Sequence, residues 1–186
     1  MSADPAEKPF VALSIAVLTI SDTRTVADDR SGNTLVERLE GAGHRLAARA
    51  IVPDDVEAIR AQVSSWIADP AVDVVITTGG TGFTGRDVTP EAVEPLFEKR
   101  MEGFSTIFHL ISFQKIGTST LQSRATAGVA NSTYIFCLPG SPGACRDGWD
   151  GILAQQLDIN HKPCNFVEIL PRLDEHLKRG KLRTPV

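Results

Sequence analysis

The chain has 186 residues, of which 42% are hydrophobic, and a formal net charge of −4 at pH 7. This length allows one domain that buries a core without disulfides, and the composition is that of an ordinary globular protein. The acidic balance and the scattered lysine and arginine residues argue against a nucleic-acid partner, because proteins that bind nucleic acids usually present a basic surface.

Cysteine and histidine spacing limits the redox and metal chemistry that the chain can support. Cys137, Cys145 and Cys164 are odd in number and lack paired metal-ligand spacing, so they indicate reduced thiols rather than a disulfide scaffold. The four histidines are far apart in sequence, which argues against a structural zinc site. The N-terminus has no signal-peptide pattern, and the apolar run over residues 11–20 is too short to span a membrane. These features predict a cytoplasmic protein without a membrane partner.

The sequence pattern indicates one domain built from alternating strands and helices. No internal repeat divides the chain, so we expect a flexible arm at residues 1–10, a domain at residues 11–173 and a polar, basic tail at residues 174–186. Apolar runs typical of buried strands cover residues 11–20, 46–52, 72–78 and 134–138. Helical patterns cover residues 33–42, 56–67, 101–115 and 145–157. This alternation predicts an α/β fold with three α/β/α layers around a mostly parallel sheet.

Several of the predicted strands end in small or polar residues. These residues are Ser21 and Asp22, then Thr78, Gly79 and Gly80, and finally Pro139, Gly140 and Ser141. Because parallel strands present their carboxyl ends at one edge of the sheet, we expect these residues to converge on a ligand site. Asp22 also fits an Asx turn, and the last group also fits a simple turn before a helix.

A candidate catalytic acid follows the second predicted strand. Asp54 precedes a helical pattern, and Glu57 lies three residues later, which is the spacing of an N-terminal capping box. From the residues alone we favour the cap for Asp54, because capping aspartates are far commoner than catalytic ones. Asp55 is then predicted to lie in the first turn of the helix.

The third predicted strand leads into the glycine-rich loop Gly79-Gly80-Thr81-Gly82 and then into a helix start. Thr89 is predicted as the N-cap of that helix, with Pro90 at its first position. A strand, a glycine loop and a helix N-terminus can place backbone amides around an anion. The loop matches neither the GxGxxG pattern nor a Walker A motif, and a tight turn that needs positive φ angles explains its glycines equally well.

Asp87 ends this glycine-rich segment, where its charge would repel a phosphate. A divalent cation would offset the repulsion, which makes Asp87 a candidate metal ligand. An aspartate at this distance from a helix start also stabilises the helix dipole, so a purely structural role stays open.

Two further segments lie in the second half of the chain. Residues 118–128 are rich in serine, threonine and glycine and are predicted to form an irregular loop. Within it, Arg124 beside Ser123 fits a bidentate phosphate clamp, although from the residues alone we favour a solvated side chain. The aromatic residues of the 101–115 helix fit the core or a contact between subunits.

Taken together, these segments resemble the MoaB/Mog family of molybdenum cofactor biosynthesis proteins, which includes the gephyrin G domain. The matching segments are Ile20-Ser21-Asp22, Asp29-Arg30-Ser31-Gly32, Ile51-Val52-Pro53-Asp54, Thr77-Thr78-Gly79-Gly80-Thr81-Gly82, Arg86-Asp87-Val88-Thr89-Pro90-Glu91-Ala92, Ser123-Arg124 and Leu138-Pro139-Gly140-Ser141. The resemblance runs from residue 11 to residue 157, and the segments at 117–125 and 163–166 are similar to the MoaB branch.

The resemblance implies a molybdopterin-binding, MogA-like domain. Active relatives transfer AMP from Mg-ATP to the terminal phosphate of molybdopterin, and their two functional aspartates correspond to Asp54 and Asp87, which would be catalytic and hold Mg²⁺. The implied substrate-binding residues are Ser21, Asp22, Thr78, Gly79, Gly80, Thr81, Gly82, Ser123, Pro139, Gly140 and Ser141. Relatives form trimers or hexamers, so we expect a homo-oligomer whose partners are molybdopterin, ATP and other proteins of the pathway.

Two alternatives to the transferase stay open at this point. A member of the MoaB branch can carry the matching motifs without transferring AMP, which would make the chain a non-catalytic molybdopterin-binding or carrier protein. An oligomeric interaction module, like the gephyrin scaffold, is the weaker alternative.

Overall fold

The computed structural model describes residues 7–175 of the chain. Its strands are β1 (Ser14–Ile20), β2 (Arg45–Val52), β3 (Val74–Thr78), β4 (Lys99–Arg100), β5 (Thr126–Ala130) and β6 (Thr133–Leu138). Its α-helices are α1 (Arg30–Gly41), α2 (Val56–Ile67), α3 (Thr89–Val93), α4 (Glu102–Ile116), α5 (Pro142–Gly148), α6 (Ala154–Gln156) and α7 (Phe166–Ile169). Most of the predicted N-terminal arm and of the predicted basic tail lies outside the described residues.

The strands form one sheet with the order β2-β1-β3-β6-β5-β4. Strands β2, β1, β3 and β6 run parallel to one another, whereas β5 is antiparallel to β6 and β4 is antiparallel to β5. From β1 the chain moves outward to β2 and then returns past β1 to β3, so the topological switch point lies between β1 and β3. The predicted α/β fold with a mostly parallel sheet is confirmed.

Helices cover both faces of the sheet, because side chains of the central strands alternate between two hydrophobic clusters. Ile15 and Val17 of β1 pack with α1, α4 and α5, whereas Ala16 and Leu18 pack with α2 and α3. This arrangement gives the three predicted layers. Among residues 7–175, no helix is long and apolar enough to cross a membrane.

The start of α1 differs from its predicted position. The helix begins at Arg30 rather than at residue 33, because the Asp29 carboxylate accepts a hydrogen bond from the Gly32 amide at 2.8 Å and so caps the helix earlier. The cap brings Ser31 to the amino end of α1, where its hydroxyl donates to the Gly140 carbonyl at 2.9 Å. The early start therefore connects α1 to the loop after β6.

The predicted irregular loop over residues 118–128 is wrong. A 3-10 helix covers Gly117–Gln122, and β5 begins at Thr126. Strand β5 turns into β6 through Asn131 and Ser132, whose φ angles are 45° and 64°. Two left-handed residues between antiparallel strands are typical of a type I′ hairpin turn. The end of this segment therefore begins a β5–β6 hairpin, which extends the sheet beyond β6.

Candidate functional site

The carboxyl ends of β1, β3 and β6 lie side by side at one edge of the sheet. A cavity of about 60 Å³ lies at this edge. Its lining residues are Thr19, Ile20, Ser21, Arg24, Asp29, Ser31, Thr78 and Gly140. The structure thus brings together one predicted site residue from each of the three strand ends.

The glycine loop follows β3 and passes very close to neighbouring backbone. Gly79 and Gly80 have φ angles of +107° and +62°, a region that glycine adopts far more readily than other residues. A side chain at Gly79 would place its Cβ 2.2 Å from the Ile20 carbonyl oxygen, and one at Gly80 would meet the Thr89 hydroxyl at 2.4 Å. Both glycines are therefore required by the turn itself, whatever ligand it binds.

Thr89 has a different role from the predicted one. The N-cap of α3 is Val88, which makes no side-chain capping bond. The Thr89 hydroxyl instead donates to the Gly79 carbonyl at 2.8 Å, and its amide donates to the Gly80 carbonyl at 2.9 Å. Thr89 is fully buried and fastens the glycine loop onto the start of α3.

The cap of α2 is also displaced by one residue from its predicted position. Asp55 is the N-cap, and its carboxylate accepts a hydrogen bond from the Ala58 amide at 2.9 Å. The predicted capping role of Asp54 and the first-turn position of Asp55 are therefore wrong. Because Asp55 caps the helix, the Asp54 carboxylate is left for another role, and it lies next to Gly80, where an added Cβ would be 3.1 Å from its Oδ1.

Asp54 lies in an electrostatically unfavourable place. Partial burial raises the pKa of Asp54 above its ordinary value, and the negative charges of Asp22 and Asp87 raise it further. The Asp54 amide donates to the Asp22 carboxylate at 3.2 Å, so the two acids are also linked through the backbone. This crowding of carboxylates is the observation that favours a cation at the site.

Asp22 is held by an arginine that sequence reasoning did not assign. The Nε and Nη2 atoms of Arg86 donate hydrogen bonds to the Asp22 carboxylate, with nitrogen–oxygen distances between 2.6 and 3.0 Å. These hydrogen bonds, together with the Asp54 amide, hold the pKa of Asp22 below its ordinary value. The pair joins the loop after β1 to the loop after β3, and so spans the switch point. The signal available in the sequence was the position of Arg86 directly before Asp87.

Asp87 is stabilised as a carboxylate within its own loop. Its Oδ2 accepts hydrogen bonds from the Thr84 amide at 2.8 Å and from the Thr84 hydroxyl at 2.7 Å. Burial acts to raise the pKa of Asp87. The hydrogen bonds from Thr84, a hydrogen bond from the Gly82 amide and the charge of Arg124 lower it further than burial raises it, so the pKa lies below its ordinary value. Asp87 is therefore ionised at neutral pH.

Asp54 and Asp87 suit a magnesium ion better than a metal ion whose ligands all come from the protein. Among residues 7–175, no group of three or more histidine, cysteine, aspartate or glutamate side chains could hold a metal ion. Mg²⁺ commonly binds through only one or two carboxylates and completes its octahedron with water and substrate phosphates. Asp54 and Asp87 offer that kind of donor set, whereas a closed zinc site needs four protein ligands.

The remaining predicted site residues are divided between two places. Near the small cavity, the Ser141 hydroxyl caps α5 by accepting from the Ala144 amide at 3.1 Å, and the Pro139 carbonyl accepts from the Thr78 hydroxyl at 3.0 Å. Ser123 instead lines a separate cavity of about 290 Å³, together with Arg100, Met101, Ser105, His109 and Arg124. The buried Ser123 hydroxyl has no hydrogen-bond partner among the described residues. The structure therefore does not place Ser123 with the strand-end residues.

Neither predicted role of Arg124 is seen in the structure. Its Nε and Nη2 donate to the carbonyl oxygens of Gly82 and Asp87, both at 2.8 Å, and its side chain is only 26% exposed. It is thus neither solvated nor turned toward the strand ends as a free clamp.

Sequence reasoning also missed a buried acid beneath the site. Asp29 is 1% exposed and lines the small cavity. Its carboxylate accepts hydrogen bonds from the Thr19 hydroxyl at 2.7 Å and from Arg49 of β2 at 2.8 Å. The pairing with Arg49 compensates its charge. The signals available in the sequence were Arg49 in the middle of β2 and the position of Asp29 in a segment that matches the family.

Replacing Asp54 with asparagine is expected to stabilise the ligand-free protein at neutral pH. Because the folded-state pKa of Asp54 lies above its unfolded value, the charged carboxylate costs stability at high pH, and the cost vanishes as the pH falls below 3.8. We expect a gain of roughly 0.5–2 kcal/mol in the free energy of unfolding at pH 7, the range usual for a single stabilising substitution. Urea unfolding at pH 7 and below pH 3.8 measures the difference in stability between the variant and the unmodified protein. A variant that is less stable at pH 7 would contradict the crowding of carboxylates around Asp54.

Ligands of open α/β domains bind where the strand order reverses, and the polar groups of this chain gather at that place. The chain is therefore an α/β domain whose candidate ligand site lies at the topological switch point of its sheet. A family model described as "Probable molybdopterin binding domain" matches residues 16–159. The chain belongs to the MoaB/Mog family of molybdenum cofactor biosynthesis proteins, and the resemblance found in the motifs is confirmed.

Curated relatives and solved structures agree with this assignment. The chain is 54% identical over 157 residues to molybdenum cofactor biosynthesis protein B of Escherichia coli K12, covering 84% of this chain and 92% of the relative. It is 43% identical over 142 residues to the protein of the same name from Bacillus subtilis, covering 76% and 84%.

Among solved structures, a molybdenum cofactor biosynthesis protein B has a TM-score of 0.78 at 37% identity and covers 92% of this chain and 99% of its own. The tungsten cofactor synthesizing protein MoaB from Pyrococcus furiosus has a TM-score of 0.69 at 35% identity and covers 77% and 92%. A MogA structure has a TM-score of 0.66 at 33% identity and covers 77% and 94%. These likenesses extend over most of the described domain.

Proposed function

We propose that the chain acts in molybdenum cofactor biosynthesis by binding molybdopterin and transferring AMP from Mg-ATP to its terminal phosphate. The observation that carries the proposal is the position of Asp54 and Asp87 beside the glycine loop at the switch point, within a domain of the molybdopterin-binding family. The charges of Asp22 and Asp87 raise the pKa of Asp54 at an expected anion site, and a magnesium ion that arrives with the nucleotide would offset this crowding of negative charge.

The reaction brings together two anions, so positioning and charge neutralisation dominate it. An oxygen of the pterin phosphate forms a bond to the α-phosphorus of ATP, the bond from that phosphorus to the β-phosphate oxygen breaks, and pyrophosphate leaves. When bound, Mg²⁺ supplies the positive charge that offsets the phosphates. Asp54 and Asp87 would hold it. Because the Gly79 amide donates to Leu138 and the Gly82 amide donates to Asp87, the loop amides that would orient the phosphate groups are those of Gly80 and Thr81. A general base is not needed, because a phosphate monoester is already anionic at neutral pH.

The test is direct adenylylation by the purified protein. Incubation with molybdopterin, ATP and Mg²⁺ is expected to give adenylylated molybdopterin and pyrophosphate in equal amounts, and EDTA should prevent the reaction. Molybdopterin binding without AMP transfer would overturn the transferase and leave the non-catalytic binding protein. Loss of both binding and transfer would leave the interaction module.

We propose further that the chain forms a homo-oligomer through one face of α4 and the 3-10 helix after it. Phe104 and Phe108 point into the core, at 3% and 1% exposure, so the α4 aromatic residues do not form one exposed stripe. The exposed apolar side chains of this segment are Ile107, Leu110, Phe113, Ile116 and Leu121, at 47% to 71% exposure. A group of exposed apolar side chains on one segment is typical of a protein–protein contact.

Replacing Phe113 with glutamate is expected to shift the protein from a trimer or hexamer to a monomer, because it places a charge within the apolar patch. Val26→Glu is the matched control, since Val26 is 65% exposed but lies outside the patch. Analytical ultracentrifugation measures both variants. An unchanged sedimentation coefficient for Phe113→Glu would show that another surface forms the oligomer.

A further inference from the structure

Arg124 binds backbone oxygen atoms of the loop that carries Asp87. Its Nε donates to the Gly82 carbonyl and its Nη2 donates to the Asp87 carbonyl, both at 2.8 Å. Its own backbone amide donates to the Thr81 carbonyl at 2.8 Å. Arg124, two residues before the start of β5, is therefore tied to three positions of the loop between β3 and α3.

The rest of the guanidinium is also engaged. Its Nη1 pairs with the Glu91 carboxylate in α3, and its central carbon lies 5.4 Å from the centre of the Phe83 ring. All three side-chain nitrogen atoms of Arg124 thus have partners in the loop or in the helix after it. A planar guanidinium with several fixed acceptors holds their relative positions, because its donors diverge at set angles.

We propose that Arg124 is a positioning residue for Asp87, an assignment that rests on the proposed role of Asp87 in AMP transfer. The Asp87 carboxylate depends on Thr84 for two hydrogen bonds, at 2.8 and 2.7 Å, and these bonds require the loop to keep its closed shape. Arg124 fixes the carbonyl groups at Gly82 and at Asp87, on either side of Thr84. The fixed geometry of the guanidinium donors, rather than the positive charge alone, is then what holds the loop. A lysine keeps the charge but cannot donate to these acceptors in the same geometry.

The test compares Arg124→Lys with Arg60→Lys. Arg60 also donates to backbone carbonyls, those of Glu91 and Ala92 in α3 at 3.3 Å, and its side chain pairs with Glu57 rather than with the loop between Gly82 and Asp87. Arg124→Lys is expected to lower kcat for AMP transfer by about 10- to 100-fold, because a displacement of about 1 Å at a reacting group has that effect. The KM for molybdopterin should stay within about twofold, and Arg60→Lys should match the unmodified protein.

Two further results bear on the proposal. Added guanidinium ion should restore part of the activity of Arg124→Ala, because it can occupy the same carbonyl groups. A raised KM with unchanged kcat in Arg124→Lys would instead make Arg124 a direct substrate contact, and would overturn the positioning role.

Amide hydrogen exchange of the ligand-free protein separates this proposal from the proposed activity. Residues 82–88 are expected to exchange at least about tenfold faster in Arg124→Lys than in the unmodified protein, and to be unchanged in Arg60→Lys. Unchanged exchange in Arg124→Lys overturns the positioning role whatever the enzyme assay gives. Faster exchange, combined with an unmodified protein that transfers no AMP, supports the loop contact and overturns only the proposed activity.

Discussion

Replacing Asp87 with asparagine is expected to lower the rate of AMP transfer by about a thousandfold, the effect of several kcal/mol of lost charge stabilisation. Asparagine keeps the size of the side chain, and its amide oxygen can still accept the hydrogen bonds that Thr84 donates to Oδ2. The substitution therefore removes the charge that would hold magnesium and leaves the loop closed. The Asp87 charge repels anions, so its removal should not weaken the binding of molybdopterin. We expect the affinity for molybdopterin without nucleotide to change by less than about threefold.

The measurements are the rate of adenylylated pterin formation at saturating Mg-ATP and a calorimetric titration of molybdopterin. Asp55→Asn is the matched control. It removes one negative charge next to Asp54, and asparagine caps α2 as well as aspartate does. We expect this control to keep its activity. Equal losses in the two variants would point to general electrostatics, and full activity of Asp87→Asn would exclude a metal-binding role for Asp87.

Replacing Gly79 with alanine is expected to destabilise the fold by about 3 kcal/mol or more. The new Cβ would lie 2.2 Å from the Ile20 carbonyl oxygen, so the ends of β1 and β3 would have to separate. A φ angle of +107° adds strain for any residue with a side chain. Because the Gly79 amide also donates to the Leu138 carbonyl at 3.1 Å, the displacement should extend to β6.

Urea unfolding measures the effect, with Gly85→Ala as the control in the same loop. A Cβ at Gly85 would have no neighbour within 4 Å, so we expect a change within about 0.5 kcal/mol. If the Gly79 variant unfolds within about 1 kcal/mol of the unmodified protein, the backbone does not need the close contact between β1 and β3.

The central strands can be predicted from the sequence because they are buried on both faces. β1, β3 and β6 are therefore nearly continuous apolar runs, and their polar ends mark the edge where ligands bind. β5 cannot be recognised in the same way. Its residues, Thr126–Ala130, are mostly small, and its neighbour in the sheet is fixed by a hairpin turn of two residues that lacks glycine.

The candidate site is predictable only in part. Asp54 and Asp55 are adjacent and chemically identical, so a shift of one residue in the start of α2 decides which of them caps the helix. The partners of the acids are a matter of tertiary structure, since Asp22 and Arg86 are 64 positions apart and Asp87 and Arg124 are 37 positions apart. Local pattern shows that such side chains are polar, but not which of them meet.

The hairpin turn at Asn131 and Ser132 has a practical consequence. It lies at the amino end of β6, whereas the carboxylates and the glycine loop lie at the carboxyl ends of the parallel strands. Short exposed turns of this kind accept inserted peptides better than other parts of a domain. An affinity tag inserted between these two residues would attach the protein to a sensor surface with its opposite edge facing the solution, which is the orientation that immobilised binding measurements require.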